Sequence, residues 1–230
     1  MEDAGKLIVI EGTDGSGKAT QSQRLLSRLE KEGFLTAYSD FPRYGEKSAG
    51  MVENYLNGKY GSSANDVDPK VASIFYAIDR YDASFEIRKN LGEGRIVVCN
   101  RYVSTNMGHQ GGKIDDKVRR KEYIDWLEDL EYNLFRIPRP DLTLFLYVPY
   151  LIAQKLVDNK AKREYIGDRK RDIHEADSEH LRKAQLAYLD VAKEKGWKII
   201  DCTQGEELLS IDEVHERVWE EVREFLGNKQ

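Results

Sequence analysis

Residues 11–21, EGTDGSGKATQ, carry a spacing that suits phosphate: Gly12, four residues, then Gly17 and Lys18. Glycines let successive backbone N–H groups turn inward onto phosphate oxygens, and the start of the following helix adds its partial positive charge. A lysine at that point reaches the β- and γ-phosphates of a nucleotide. Thr13, Asp14, Gly15 and Ser16 fill the loop; Ala19 stands where a hydroxyl would hold magnesium, with Thr20 one place late. The loop follows the apolar run LIVIE and opens a helical pattern, the context that separates a phosphate site from a chance match.

Three further groups of residues could act beside it. A second apolar run leads into Phe41, Pro42 and Arg43. In SIFYAIDRYD, Tyr76 and Arg80 lie four apart on one helix face, where a ring and a donor suit a flat base, with Phe75 as the alternative ring. A third run leads into NRYVSTNMGHQ, which holds Arg101, Asn106, His109 and Gln110. A guanidinium fork matches two phosphate oxygens at once, and a side-chain amide can read a ring N–H and a carbonyl together. Residues 159–175, NKAKREYIGDRKRDIHE, gather Lys160, Lys162, Arg163, Arg169, Lys170 and Arg171 against Glu164, Asp168, Asp172 and Glu175. Alone, such a run is a solvated face. Beside a phosphate loop it is a source of cations for a transferring phosphoryl group.

The elements that must position these groups are short apolar runs at 6–10, 34–38, 95–99, 142–148 and 197–201. Helical periodicity fills 18–32, 70–91, 116–135, 176–195 and 211–226. Continuous apolar runs suit strands buried on both faces. The alternation therefore predicts an α/β fold: a doubly wound five-stranded parallel sheet, helices on both faces, ligands at the carboxyl ends of the strands. At 230 residues the chain reads as a single domain over 1–230, with long polar loops at 58–69 and 159–175.

Composition narrows the partners. The chain is 40% hydrophobic and 33% charged, with a mean hydropathy of −0.65. A net charge of −5 and a pI near 5.6 argue against nucleic acid, which selects basic surfaces. No apolar run nears the roughly 20 residues that span a bilayer, and an acidic N-terminus does not resemble a signal peptide. These features predict a cytoplasmic protein with no membrane partner. Cys99 and Cys202 lack C-x-x-C spacing and read as buried reduced thiols.

GTDGSGKATQ resembles the nucleoside monophosphate kinases among the P-loop kinases, where a small residue after the lysine followed by Thr-Gln is familiar. Asp14 in the loop, FPRYG, the aromatic-x-x-x-Arg pair, NRY with Asn106, and RPDLTLFLYV together are similar to the thymidylate kinases. The resemblance covers essentially the whole chain. It implies Mg²⁺-dependent transfer of the γ-phosphoryl of ATP to dTMP, giving dTDP and ADP. ATP would bind at Gly12 to Thr20. Arg43 and Arg101 would hold the acceptor phosphate, Tyr76 or Phe75 would stack on thymine, and Arg80 and Asn106 would face the base. His109 stands where a tyrosine packs under the deoxyribose, next to Gln110.

Gly15 occupies a place where some members carry an arginine, so a mobile lid at about 159–175 would supply the cation from Arg163, Arg169 or Arg171. Asn100 replaces an expected aspartate, and Asp14, Asp172 and Glu175 would restore the lost charge at the metal. The resemblance also implies a homodimer through helices flanking the third strand. A kinase for another pyrimidine (deoxy)nucleotide or nucleoside, and a nucleotide-binding regulator without turnover, are the alternative expectations; the latter is motivated by Asn100 and Ala19. The residues do not rank dTMP against dUMP.

Overall fold

The run KLIVI becomes β1 (Lys6–Gly12), whose side chains alternate between two faces and are fully buried from Leu7 to Ile10. A computed structural model describes residues 5–153, 174, 178–205 and 207–227. From β1 the chain continues through α1 (Lys18–Lys31), β2 (Thr36–Asp40), α2 (Gly50–Leu56) and α3 (Pro69–Gly92). Next come β3 (Ile96–Asn100), α4 (Val103–His109), α5 (Lys117–Glu128) and β4 (Leu142–Tyr147). It ends with α6 (Ser178–Lys195), β5 (Lys198–Asp201), the hairpin β6 (Thr203–Gln204) and β7 (Glu207–Leu208), and α7 (Ile211–Leu226). The five-stranded sheet has the order β2-β3-β1-β4-β5 with every neighbour parallel, as the strand–helix alternation predicts.

Helices cover both faces, which is why the strand runs read as continuously apolar. On one side Ile8, Ile10, Val98, Leu144 and Leu146 meet Leu25 and Leu29 of α1 and Val214, Val218 and Val222 of α7. On the other, Leu7, Val9, Val97 and Cys99 meet Ala83 and Ile87 of α3, Met107 of α4 and Leu127 of α5. Cys99 and Cys202 are buried and unbridged, and burial pushes the Cys202 thiol up to about 12. Among the described residues no helix is long and apolar enough to cross a membrane.

The structure shifts some boundaries for local reasons. β2 starts at Thr36, not at 34, because Gly33 adopts a left-handed φ of 84° and Phe34 N–H still bonds the Leu29 carbonyl at 3.0 Å. The helical pattern of 116–135 is two pieces: α5 ends at Glu128, and a π-helical turn over Asp129–Leu134 carries Glu131 into the interior. Two short helices escape the periodicity. All seven residues of α4 are buried, so it has no polar face to show. The lid stretch 159–173, with Arg163, Arg169, Arg171 and Asp172, and also Glu175, lies outside the described residues.

Candidate functional site: a phosphate cleft and an acceptor pocket

The loop after β1 is shaped by glycine. Gly12, Gly15 and Gly17 have φ of 156°, 86° and 84°, a region that side-chain-bearing residues rarely adopt. At Gly12 a Cβ would lie 2.6 Å from Ser16 Oγ and 2.7 Å from the Leu146 carbonyl oxygen, so nothing larger fits. Helix α1 begins at Lys18 with no side chain in the cap, a helix start suited to an anion. Thr13 Oγ1 and Ser16 Oγ are buried without a hydrogen-bond partner among the described residues.

Asp14 joins the two cations of the cleft. Lys18 Nζ donates to the Thr13 carbonyl at 2.8 Å and stands 3.7 Å from Asp14 Oδ1. Arg101 donates to that same carboxylate oxygen. The geometry follows from the backbone: Arg101 takes a left-handed φ of 67° and donates its N–H to the Ile10 carbonyl at 3.0 Å, directing its side chain across the loop. Burial works against the Arg101 charge, yet Asp14 and then Glu11 hold its pKa well above the ordinary value. Glu11, fully buried below, accepts from Ser104 Oγ at 2.8 Å, Thr105 Oγ1 at 2.7 Å and Tyr188 OH at 3.1 Å. It ties the end of β1 to α4 and α6.

Asp14, Lys18 and Arg101 line a cleft of about 770 Å³ together with Gly15, Gly17, Ala19, Thr20, Phe41, Pro42, Tyr44 and Glu53. That is room for a nucleoside triphosphate. Asp40 and Asn100 complete it. They are register partners at the ends of β2 and β3, and Asn100 Nδ2 donates to Asp40 Oδ1 at 2.8 Å. Burial raises the Asp40 pKa, while Arg101 and the Asn100 hydrogen bond pull it down. A carboxylate therefore stands one strand over from position 100, where the resemblance implies an aspartate. A strand-end aspartate immediately before FPRYG is the signal that finds it, once register with β3 is considered.

A second pocket adjoins the cleft and shares Asp14, Pro42, Tyr44 and Arg101 with it. Tyr76, Thr105, Asn106, His109, Gln110, Leu56 and His174 enclose the rest. Its volume is about 30 Å³, room for about one water, so a nucleotide enters only as these side chains part. Asn106 Oδ1 and both amide atoms of Gln110 are buried without partners among the described residues, the state expected of groups that wait for a ligand. Burial holds the pKa of His109 and of His174 well below the usual imidazole value.

The structure brings together Asp14, Lys18, Arg101, Asn106, His109 and Gln110, but not every residue expected beside them. Tyr76 lines the pocket, whereas Phe75 packs against Tyr55 and Tyr60. Arg80 is a correction: it is 1% exposed, and its guanidinium is taken by Glu131 at 2.5 and 2.6 Å and by the Tyr102 carbonyl at 3.2 Å. It shares a helix face with Tyr76, but the π-helical turn places an acid against it that periodicity does not show. Arg43 also turns away from the pocket lining. It bonds Asp79 at 3.0 Å, Asp82 at 2.5 Å and Ser48 Oγ at 2.7 Å. The sequence reading missed Asp40, Glu11 and His174.

With this geometry in place, the comparisons with known proteins are consistent with one another. The family model for thymidylate kinase matches residues 10–217. The thymidylate kinase of Mycobacterium tuberculosis is 29% identical over 192 residues, 83% of this chain and 87% of its own. A probable thymidylate kinase of Pyrobaculum aerophilum is 30% identical over 212 residues, covering 89% of this chain and 92% of its own. The human thymidylate kinase is 27% identical over 93% of this chain and 88% of its own. The solved structure of thymidylate kinase from Candida albicans superposes with a TM-score of 0.71 at 23% identity, covering 97% of this chain and 94% of that one.

Proposed function

The chain belongs to the thymidylate kinase family, and from that premise we propose how it moves the γ-phosphoryl of ATP to dTMP, giving dTDP and ADP. The observation that carries the proposal is Arg101, which lines both the phosphate cleft and the acceptor pocket and shares Asp14 with Lys18. ATP lies on the backbone of residues 12–20 with Lys18 at its terminal phosphates. The dTMP phosphate sits at Arg101, with its base toward Tyr76, Asn106 and Gln110 and its sugar toward His109. The acceptor phosphate oxygen is already a nucleophile, so the reaction needs alignment and cations rather than a general base. Arg43 would reach the acceptor only by leaving Asp79 and Asp82. Arg163, Arg169 and Arg171 are proposed as lid cations on the strength of the sequence.

The donor set fits magnesium. Asp14 and Asp40 supply carboxylates, and Asn100 Oδ1 is buried without a partner among the described residues; hard oxygens of this kind suit that ion. Bound there with ATP, magnesium would neutralise charge on the phosphates. Asp172 and Glu175 remain proposed contributors from the lid. Because Asp40 restores the carboxylate, Asn100 no longer argues for a regulator without turnover.

The same proposal includes a single kinase domain, a cytoplasmic location where ATP and dTMP are found, and a homodimer. Support for the dimer comes from α3, where Val71, Ile74, Ile78, Tyr81 and Phe85 repeat at 3-4 spacing and are each 37–59% exposed. Such a stripe buries well against its own copy. The test of function is a coupled ADP assay with ATP, Mg²⁺ and dTMP, dUMP, UMP, CMP or AMP. Turnover should favour dTMP over UMP, CMP and AMP; equal rates across the acceptors would overturn the assignment.

A further inference from the structure

Three of the chain's four histidines meet at one place. His109 ends α4, His180 lies in the first turn of α6 and His174 precedes that helix; they are 3%, 3% and 5% exposed. His109 Nδ1 is 3.3 Å from His180 Nε2. Ring centroids are 5.4 Å apart for His109–His174, 5.5 Å for His109–His180 and 4.5 Å for His174–His180. One ligand nitrogen of each ring lies within 4.8 Å of the others. Three nitrogens about 2.1 Å from a tetrahedral zinc ion stand roughly 3.4 Å apart. The His109–His180 pair already has that spacing.

The third ring meets a tyrosine. Tyr55 OH lies 2.8 Å from His174 Nε2, 2.9 Å from Lys113 Nζ and 3.4 Å from the Ala64 carbonyl oxygen. An ammonium can only donate, and a phenol has one proton. Ligation through His174 Nδ1 requires the tautomer with Nε2–H, in which Tyr55 accepts from His174 and from Lys113 and sends its own proton to the Ala64 carbonyl. Tyr55 then stands as the outer partner that fixes a ligating imidazole. The cluster also leaves a polar atom unmet: His109 Nε2 is buried with no partner among the described residues. An unmet buried ring nitrogen is one that a ligand can satisfy, so His109 has an unused nitrogen as well as the one that faces His180.

We propose that His109, His174 and His180 form a three-histidine site for a transition-metal ion of the zinc class, distinct from the oxygen set that suits magnesium. Imidazoles select zinc, cobalt, nickel or copper over magnesium, so the two sites would not compete. Among the described residues the group of possible ligands is these three histidines. His109 and His174 also line the acceptor pocket, so the ion would fasten α4, α6 and residue 174 into one wall of it.

The test needs no nucleotide and no turnover. The full chain, stripped with chelator and held in excess Mg²⁺, is titrated with Co²⁺ and then Zn²⁺. One Co²⁺ per chain should bind with the intense visible bands of a tetrahedral site, and Zn²⁺ should abolish them. His174→Gln and His180→Gln should each weaken binding tenfold or more, with circular dichroism unchanged, while His215→Gln should leave it as it is. For a variant that fails to fold, the wild-type protein still decides: with Mg²⁺ already saturating, added Zn²⁺ should raise its Tm further. Absence of a bound ion, a six-coordinate spectrum, binding that survives both substitutions, or equal loss in His215→Gln would each overturn the site.

Discussion

One side of the cleft comes from a single contiguous stretch, Asp14 to Thr20, in a loop whose backbone is held by three positive-φ glycines. The acceptor side takes Pro42 from the turn after β2, Tyr76 from α3, Arg101 to Gln110 from the β3–α4 region and His174 from before α6. A contiguous backbone site fixes its spacing and depends less on its side chains. A distributed site lets groups trade places between elements when charge and reach are kept. We read Asp40 and Asn100 as such a trade, with the carboxylate on β2 and the amide on β3.

Two arginine–carboxylate pairs bring out the same contrast. Arg101–Asp14 lines the cleft, whereas Arg80 and Glu131 are 1% and 0% exposed in the core. Arg80→Ala strands the Glu131 carboxylate and should cost about 3–5 kcal/mol in urea unfolding. A loss well under 1 kcal/mol, together with a selective failure to bind dTMP, would return Arg80 to the base and blur the distinction between the two pairs.

The trade between strands can be reversed. Asp40→Asn should raise the Mg²⁺ concentration for half-maximal rate by about 10- to 100-fold, the range seen when groups around a metal are lost. Adding Asn100→Asp should recover most of it. If the double variant behaves no better than the single, the position of the carboxylate matters and the two sides are less interchangeable than argued.

A third test lies at Lys113, against Tyr55. Burial pulls the Lys113 ammonium from 10.5 down to about 8. A depressed folded pKa contributes stability above the unfolded value and loses it as pH falls through about 8. Relative to Lys113→Met, wild-type stability should therefore rise between about pH 8 and 10.5, by on the order of 3 kcal/mol. Parallel stability curves across that window would show that Lys113 is not buried as charge beside Tyr55.

The contrast also explains what the residues alone revealed. The sheet was legible because each strand is buried on two faces, and the phosphate loop because its spacing is local. Arg101 and Asn106 were visible through motif order. Asp40 was hidden because its meaning depends on cross-strand register, Glu131 because a π-helical turn breaks the α-helical period, and α4 because burial on all sides removes its polar face. His174 sits in a charge-rich run that gives no hint of meeting α4.

The account rests most on Arg101 serving donor and acceptor together. Steady-state kinetics of Arg101→Ala and Asn106→Ala, varying ATP and dTMP separately, test this directly. Arg101→Ala should lower kcat by about 10²–10³ and weaken dTMP binding, as expected when a cation on developing charge is removed. Asn106→Ala should raise the KM for dTMP and leave that for ATP unchanged. An Arg101→Ala enzyme that keeps kcat and its dTMP affinity within about twofold of wild type would contradict the account.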